Sequence, residues 1–481
     1  MSARPSRYDL LVIGGGPAGL TAARLAAERG ATVALIECAR LGGTSLNTGS
    51  VPSKTLIRSA RLFASVRESR LLRNAGLHEP LADLELVHAR LTTVRARIAA
   101  YCSPDVLERA GIHLYSGEAR FESPNSVRIV DRELQFAKAL IATGARSTDP
   151  RIAGLERGQY LTTESIFDLE ELPRRLAVVG GGPVGCELAQ AFCRLGSNVT
   201  IIQDEAKFLP REERDAAQTL ADAMARDGVD IFLNTSVVGA TVADGVTRLE
   251  TQSEERHGEV SAECVLVSVG RTANVEALAL ERAGIAIDRD GIRVDASLRT
   301  TNPDVYAAGD VCMADQFTHV AESTARIATL NLLGGRPRQH TDLVIPRCTF
   351  CDPEIAHVGR QVWEVRAAGV PVKTFVVMMQ DVDRAITDRQ DRGFVKIHVR
   401  EGSDEILGAT IVASRASEMI NEVSVAITAR LGLVALAGVV HTYPTQSEAI
   451  RFAAAACARE LDRVTGGRQA LPDRGPVEEH P

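Results

Sequence analysis

The pattern Gly-x-Gly-x-x-Gly occurs at residues 14–19 and again at 180–185, each time between a short apolar run and a helix-forming stretch. Few folds accept that arrangement. In the first copy, YDLLVI at 8–13 reads as a buried strand, 20–29 as a helix, and 32–36 as a second strand ending at Glu37. Glycines there permit a tight turn and let backbone approach a pyrophosphate that rests on the helix N-terminus. Gly14, Gly16, Pro17, Ala18 and Gly19 are the candidate phosphate contacts. Glu37, about 20 residues past the last glycine, is placed for ribose hydroxyls.

The second copy starts with LAVV from Leu176, continues into a helix over 186–195, and reaches a strand at 199–202 that ends at Gln203. Gly180, Gly182, Val184, Gly185 and Gln203 are its candidate contacts. Two such units in one chain imply two dinucleotides bound face to face, as hydride transfer between them requires. The second site is expected to take a nicotinamide cofactor. Asp204 and Glu205 would repel a 2′-phosphate, and Lys207 partly offsets them. NADH is therefore favoured, with NADPH left open.

At 481 residues the chain exceeds the roughly 250–300 at which single cores stop growing, so several domains are expected. Its 39 glycines, 45% hydrophobic content and 4% aromatics fit an α/β protein rich in backbone turns. A formal charge of −7 leaves no basic footprint for nucleic acid or an anionic membrane. No apolar run reaches the roughly 18 residues needed to span a bilayer, and residues 1–9 are polar with no signal-like core. A cytoplasmic protein is expected. The nine cysteines lack the regular spacing of a secreted disulfide scaffold.

Between the units, LGGTSLNTGSVPSK at 41–54 closely resembles the redox-active segment of the pyridine nucleotide-disulfide oxidoreductases, the family of dihydrolipoyl dehydrogenase, glutathione reductase and mercuric reductase. Further motifs follow in the family's order: ALIATGAR at 139–146, CVLVSVGR at 264–271 with Thr272 and Asn274, VYAAGD at 305–310, CTFCDPEIAHVG at 348–359, EILGATIVASRASEMI at 405–420 and HTYPTQSE at 441–448. The likeness spans roughly 8–460, almost the whole chain. It implies an α/β fold with two Rossmann-like dinucleotide-binding domains, for FAD and NAD(P), and a C-terminal α+β dimerisation domain. The implied division is 1–150 (FAD, first part), 151–275 (NAD(P)), 276–343 (FAD, second part) and 344–465 (dimerisation), with 466–481 a disordered tail. The helical segment 56–111 is read as a packing layer over the flavin. The resemblance assigns FAD contacts to Gly43, Thr44, Thr143, Gly144, Gly309 and Asp310, the last on the ribityl chain. It places Gly270 and Arg271 at the close of the nicotinamide domain. A homodimer is implied, with HTYPTQSE reaching the partner's active site.

The departures matter as much. Where the family carries two redox cysteines, this chain has Ser45 and Ser50. A cysteine titrates near pH 8.5 and is readily pushed lower, giving a soft thiolate nucleophile; a serine hydroxyl does neither. The family's proton-handling histidine is replaced by Tyr443, although the supporting acid remains as Glu448. Lys54 and Glu187 match the family's ion pair near the flavin, an arrangement that favours negative charge on reduced flavin. Tyr443 and the string FTHVAE at 317–322 point to the mercuric reductase branch, yet near the C-terminus only Cys457 stands where that branch has a cysteine pair. Cys348 and Cys351 form a lone Cys-x-x-Cys with no matching ligand set, so no metal site is expected. Cys312 is expected in the helix after Asp310, and Cys186 and Cys193 on one core face.

The leading expectation is an FAD-dependent NAD(P)H oxidoreductase that passes electrons directly to a small acceptor such as a quinone, without a redox disulfide. One alternative is a Cys-to-Ser inactivated mercuric reductase-like or dihydrolipoyl dehydrogenase-like enzyme; another is a non-enzymatic flavoprotein binding partner.

Overall fold

The apolar runs before each glycine turn become strands of parallel sheets, buried on both faces. The computed structural model describes residues 5–68, 83–254 and 256–465; part of the expected 56–111 helical segment, at 69–82, and the 466–481 tail lie outside the described residues. These fall into two compact units, one within 1–206 and 227–343, the other within 207–226 and 344–481.

In the first unit, strand Arg7–Ile13 lies between Val33–Glu37 and Arg132–Ile141, parallel to both. Ile112–Ser116 extends the sheet beyond Val33–Glu37, and Val305–Ala307 adds a parallel strand beside Arg132–Ile141. All five strands run the same way, so Ile13, Glu37, Ile141 and Ala307 end on one edge. In open α/β sheets that edge holds ligands. Leu11, Ile13, Ile141 and Ala307 sit in the core beneath it, none more than 3% exposed. The long strand Arg132–Ile141 also pairs antiparallel with Ser126–Ile129 through its first half.

The second parallel sheet of this unit has the order Asp230–Phe232, Asn198–Ile202, Arg175–Val179, Cys264–Val267. An antiparallel meander, Ser236–Ala243, Val246–Gln252 and His257–Ala262, precedes its last strand. The chain leaves the first sheet and returns to it through Ala145–Ser147 and Arg271–Ala273, which pair antiparallel.

Helix Ser50–Glu68 follows the short helix Gly43–Asn47, and Leu84–Ala99 continues the helical layer. Cys312 caps the 3-10 turn Gly309–Val311 and donates to Gly309 O at 3.6 Å. It therefore precedes the helix Thr318–Leu332 in which it was expected.

The other unit is a five-stranded antiparallel sheet in the order Arg347–Thr349, Glu354–Gly359, Ile406–Ala413, Phe394–Arg400, Val372–Met378. Helices Ala416–Thr428 and Glu448–Thr465 pack on it. Ala449, Ile450, Ala453, Ala454 and Cys457 are fully buried, the helical repeat of an apolar stripe. Residues 207–226 belong here because buried charges fasten them: Glu213 accepts from His398 Nε2 and Lys396 Nζ, both at 2.7 Å, and Glu212 accepts from Arg347 at 3.1 Å.

Candidate functional site

The two glycine turns are built alike. Gly14 and Gly180 have φ of 107° and 104°, and a Cβ on either would strike the carbonyl of a neighbouring strand end, Ala142 or Ser268. Gly19 and Gly185 lie against the carbonyls of Gly14 and Gly180, with no room for a side chain. Helices begin at Pro17 and Pro183, and neither has a side-chain cap, so their first backbone N–H groups remain for a phosphate. Gly15 N–H donates to Glu37 Oε2 at 2.6 Å, and Gly181 N–H donates to Gln203 Oε1 at 2.6 Å. The residues ending the two second strands thus hold equivalent positions.

The edge of the first sheet gathers the other candidates. Gly43 (φ 56°) approaches Gly16 so closely that its Cβ would lie 2.7 Å from the Gly16 Cα; Thr44 follows in the same short helix. Thr143 Oγ1 donates to Asn274 O at 2.7 Å, Asn274 Nδ2 returns to Thr143 O at 3.0 Å, and Asn274 N–H donates to Gly144 O at 2.9 Å. Thr148 N–H donates to Gly270 O at 3.0 Å, and Arg271 Nη2 to Ala145 O at 2.6 Å. The same Nη2 lies 3.4 Å from Asp310 Oδ2. Burial pushes the Asp310 carboxyl up and the Arg271 charge opposes it. Gly309 N–H is fixed by the buried Thr324 hydroxyl at 3.1 Å.

Lys54 and Glu187, far apart in sequence, form an ion pair with Nζ–Oε2 of 2.7 Å. Glu187 is 4% exposed, so a charged partner is needed to hold its carboxylate there. Ser45 and Ser50 also converge. Thr318 Oγ1 shares hydrogen bonds with Ser45 Oγ at 2.9 Å and Ser50 Oγ at 3.4 Å. Thr318 was not among the residues expected at the site, although it lies within FTHVAE; a hydroxyl at the first position of the helix after Asp310 is the signal that could have found it.

In the other unit, Tyr443 and Glu448 have different partners. Tyr443 OH donates to Asp383 Oδ2 at 2.9 Å, which raises its pKa above the ordinary value. Glu448 accepts from Arg451 at 3.3 Å. His441 is paired with Glu422 at 2.9 Å. Cys186 and Cys193 face the core, bonding to Gly181 O and Asp227 O, and burial raises both thiols, Cys193 to about 11.

Two parallel sheets, each with a glycine turn and an uncapped helix at its ligand edge, define a flavin- and nicotinamide-type oxidoreductase. Residues 8–326 match the model of the pyridine nucleotide-disulphide oxidoreductases, and 345–454 match that family's dimerisation domain. The chain is 35% identical to a mercuric reductase of Acidithiobacillus ferrooxidans over 95% of this chain and 84% of that one. It is 32% identical to a dihydrolipoyl dehydrogenase of Chlamydia muridarum over 92% and 95%. A copper(II) complex of the HOCl-induced flavoprotein disulfide reductase RclA from Escherichia coli is 30% identical, with a TM-score of 0.83 over 92% of this chain and 98% of that one. The chain belongs to the pyridine nucleotide-disulphide oxidoreductase family. It is an enzyme that uses FAD and NAD(P)H. The site fits these groups: the space beside Gly182 is open within 4 Å, where a pyrophosphate would pass, and Glu37 presents a carboxylate at the first strand edge. No helix among the described residues is long and apolar enough to cross a membrane.

Proposed function

We propose that this enzyme transfers electrons from NADH through FAD directly to a small quinone-like acceptor, without a redox disulfide. The observation that carries the reading is the combination of serine at positions 45 and 50 with the Lys54–Glu187 pair at 2.7 Å. When bound, FAD takes a hydride from the nicotinamide and passes two electrons on, and positioning the two rings supplies most of the rate. In this reading Gly14, Gly16, Pro17, Ala18 and Gly19 cradle the FAD pyrophosphate, and Glu37 takes the adenosine ribose. Gly43, Thr44, Thr143, Gly144, Gly309 and Asp310 complete that site. Gly180, Gly182, Val184, Gly185, Gln203, Gly270 and Arg271 serve the nicotinamide cofactor. Lys54 places a positive charge beside the flavin, and Glu187 holds Lys54 in place. Tyr443 and Glu448 act from the partner subunit of a homodimer. The domain limits proposed are those read from the sequence, except that 207–226 packs with the C-terminal unit, and the location is cytoplasmic. Anaerobic titration with NADH and then NADPH, followed by a quinone, tests the reading: bleaching of the flavin and its recovery by quinone are expected. A flavin that stays oxidised in excess NADH would sink it.

A second reading is favoured by the hydroxyl geometry. Ser45 and Ser50 reach the same Thr318 oxygen, which gathers the two positions where the family carries its cysteine pair. In that case the chain is a disulfide reductase with both thiols exchanged for hydroxyls. The double variant Ser45→Cys, Ser50→Cys would then gain a long-wavelength charge-transfer band and disulfide or metal reduction; without either, this reading fails.

A further inference from the structure

Ser45 lies in the short helix Gly43–Asn47, Ser50 opens helix Ser50–Glu68, and Thr318 opens helix Thr318–Leu332. Their three hydroxyls carry three donor hydrogens, and the two bonds among them use two. One O–H and several lone pairs are left for a ligand. Ser50 is exposed, and Ser45 and Thr318 are half-buried, so the cluster is open to a small molecule. Lys54 follows Ser50 by four residues on the same helix, which puts both on one face. On either side of Thr318 in sequence, Phe317 and His319 stack with ring centroids 5.3 Å apart and planes 7° apart. A spare hydroxyl donor suits a carbonyl oxygen, and the exposed His319 of the stacked pair offers a flat face to a planar ring. It suits soft metals poorly, since those demand thiolate or thioether ligands.

We infer that Ser45, Ser50 and Thr318 form the acceptor subsite, with both serines donating to Thr318 Oγ1 and the Thr318 O–H donating to a carbonyl oxygen of a quinone whose ring lies against Phe317 and His319. The inference rests on the direct-acceptor reading and specifies its substrate. The balance is simple: NADH gives a hydride, that is two electrons and one proton, solvent gives the second proton, and the quinone leaves as hydroquinone. No bond to the protein forms or breaks.

The test is calorimetric titration of the oxidised holoprotein with menadione, without nicotinamide, in the wild type and in Thr318→Val and Thr318→Ser. Loss of one hydrogen bond is expected to weaken menadione binding in Thr318→Val by roughly two- to tenfold, with Thr318→Ser restoring it. In turnover, KM for menadione should rise in Thr318→Val while KM for phenazine methosulfate, a planar acceptor without a carbonyl, holds. Unchanged menadione binding in Thr318→Val overturns the subsite, as does an equal rise in KM for both acceptors, which would mark a structural role. If the wild type reduces its flavin with NADH but neither binds nor reduces menadione, the direct-acceptor reading falls with it. If the wild type binds and reduces menadione yet Thr318→Val matches it, only the subsite falls.

Discussion

In the first nucleotide unit a Cβ on Gly16 would lie 3.8 Å from the Gly43 Cα, whereas one on Gly182 would meet no atom within 4 Å. The helical position two residues on follows suit, with Ala18 5% exposed and Val184 42% exposed. Backbone turns, strand order and the bond from the second glycine are shared, so the contrast lies in what covers the turn. The segment from Gly42 into the helix Gly43–Asn47 crosses the first turn, and among the described residues the second has no such roof. A covered turn retains its nucleotide, and an open one lets it exchange. On the proposed assignment of the two turns, that is the division of labour between a resident FAD and a nicotinamide cofactor that must leave after each turnover.

The largest expected effect comes from breaking the roof. Gly43→Ala forces a side chain onto Gly16 at a left-handed φ of 56°, and the protein should purify without its yellow flavin. Gly182→Ala enters open space at a φ of −74°; it should keep its flavin and raise KM for NADH about tenfold through weakened phosphate bonding. Flavin absorbance per protein and steady-state kinetics separate the two. If both variants lose flavin equally, the contrast between the turns is wrong.

Acid tests the comparison from outside both nucleotide units. In the C-terminal sheet, burial pushes the Glu213 carboxyl up, but bonds from His398 and Lys396 outweigh it and hold it at about 2. Burial, aided by the Arg347 charge, pushes His357 down to about 3. Both groups bind a proton more readily in the unfolded chain. Glu213 therefore contributes stability that is present above its ordinary pKa of 4.5 and is lost as pH falls toward about 2. His357 costs stability progressively from its ordinary 6.5 down toward about 3, where the unfolded chain takes up a proton that the folded one refuses. Chemical unfolding followed between pH 7 and 4 should show falling stability, and Glu213→Gln should flatten the lower part of that curve.

Lys54→Met removes the link between a residue of the first nucleotide unit and Glu187 of the second. The 4%-exposed Glu187 carboxylate loses its 2.7 Å partner, at a cost of about 1–3 kcal/mol. Denaturant unfolding measures that loss, and stopped-flow bleaching by NADH should slow alongside it. The smallest effect expected is from Gln203→Glu, which makes the second turn resemble the first. The added charge beside Asp204 and Glu205 should raise the kcat/KM preference for NADH over NADPH severalfold, and a preference that moves toward NADPH would contradict the role given to this position.

Both glycine turns are legible in the chain itself, because a left-handed φ and a carbonyl packed against Cα restrict a position to glycine. Lys54 and Glu187 are legible only through motif register, since nothing in either local sequence points to the other. The 3-10 turn that takes Cys312 out of the following helix starts at Gly309, whose φ of 76° a glycine adopts freely, so the sequence does punctuate it.

Contiguous residues alone dictate the pair of nucleotide turns, the strands that flank them, and the absence of thiols at positions 45 and 50. Backbone stereochemistry and side-chain chemistry are enough to read each of these. Tertiary packing was required to bring Thr318 to serines more than 260 residues away, and to hold 207–226 to the C-terminal sheet through His398 and Lys396. Hydrogen bonds of that span leave no periodicity in the chain; they exist because separate elements are packed against one another, and at the buried Glu213 the cost of breaking them is that of a polar group buried without a partner.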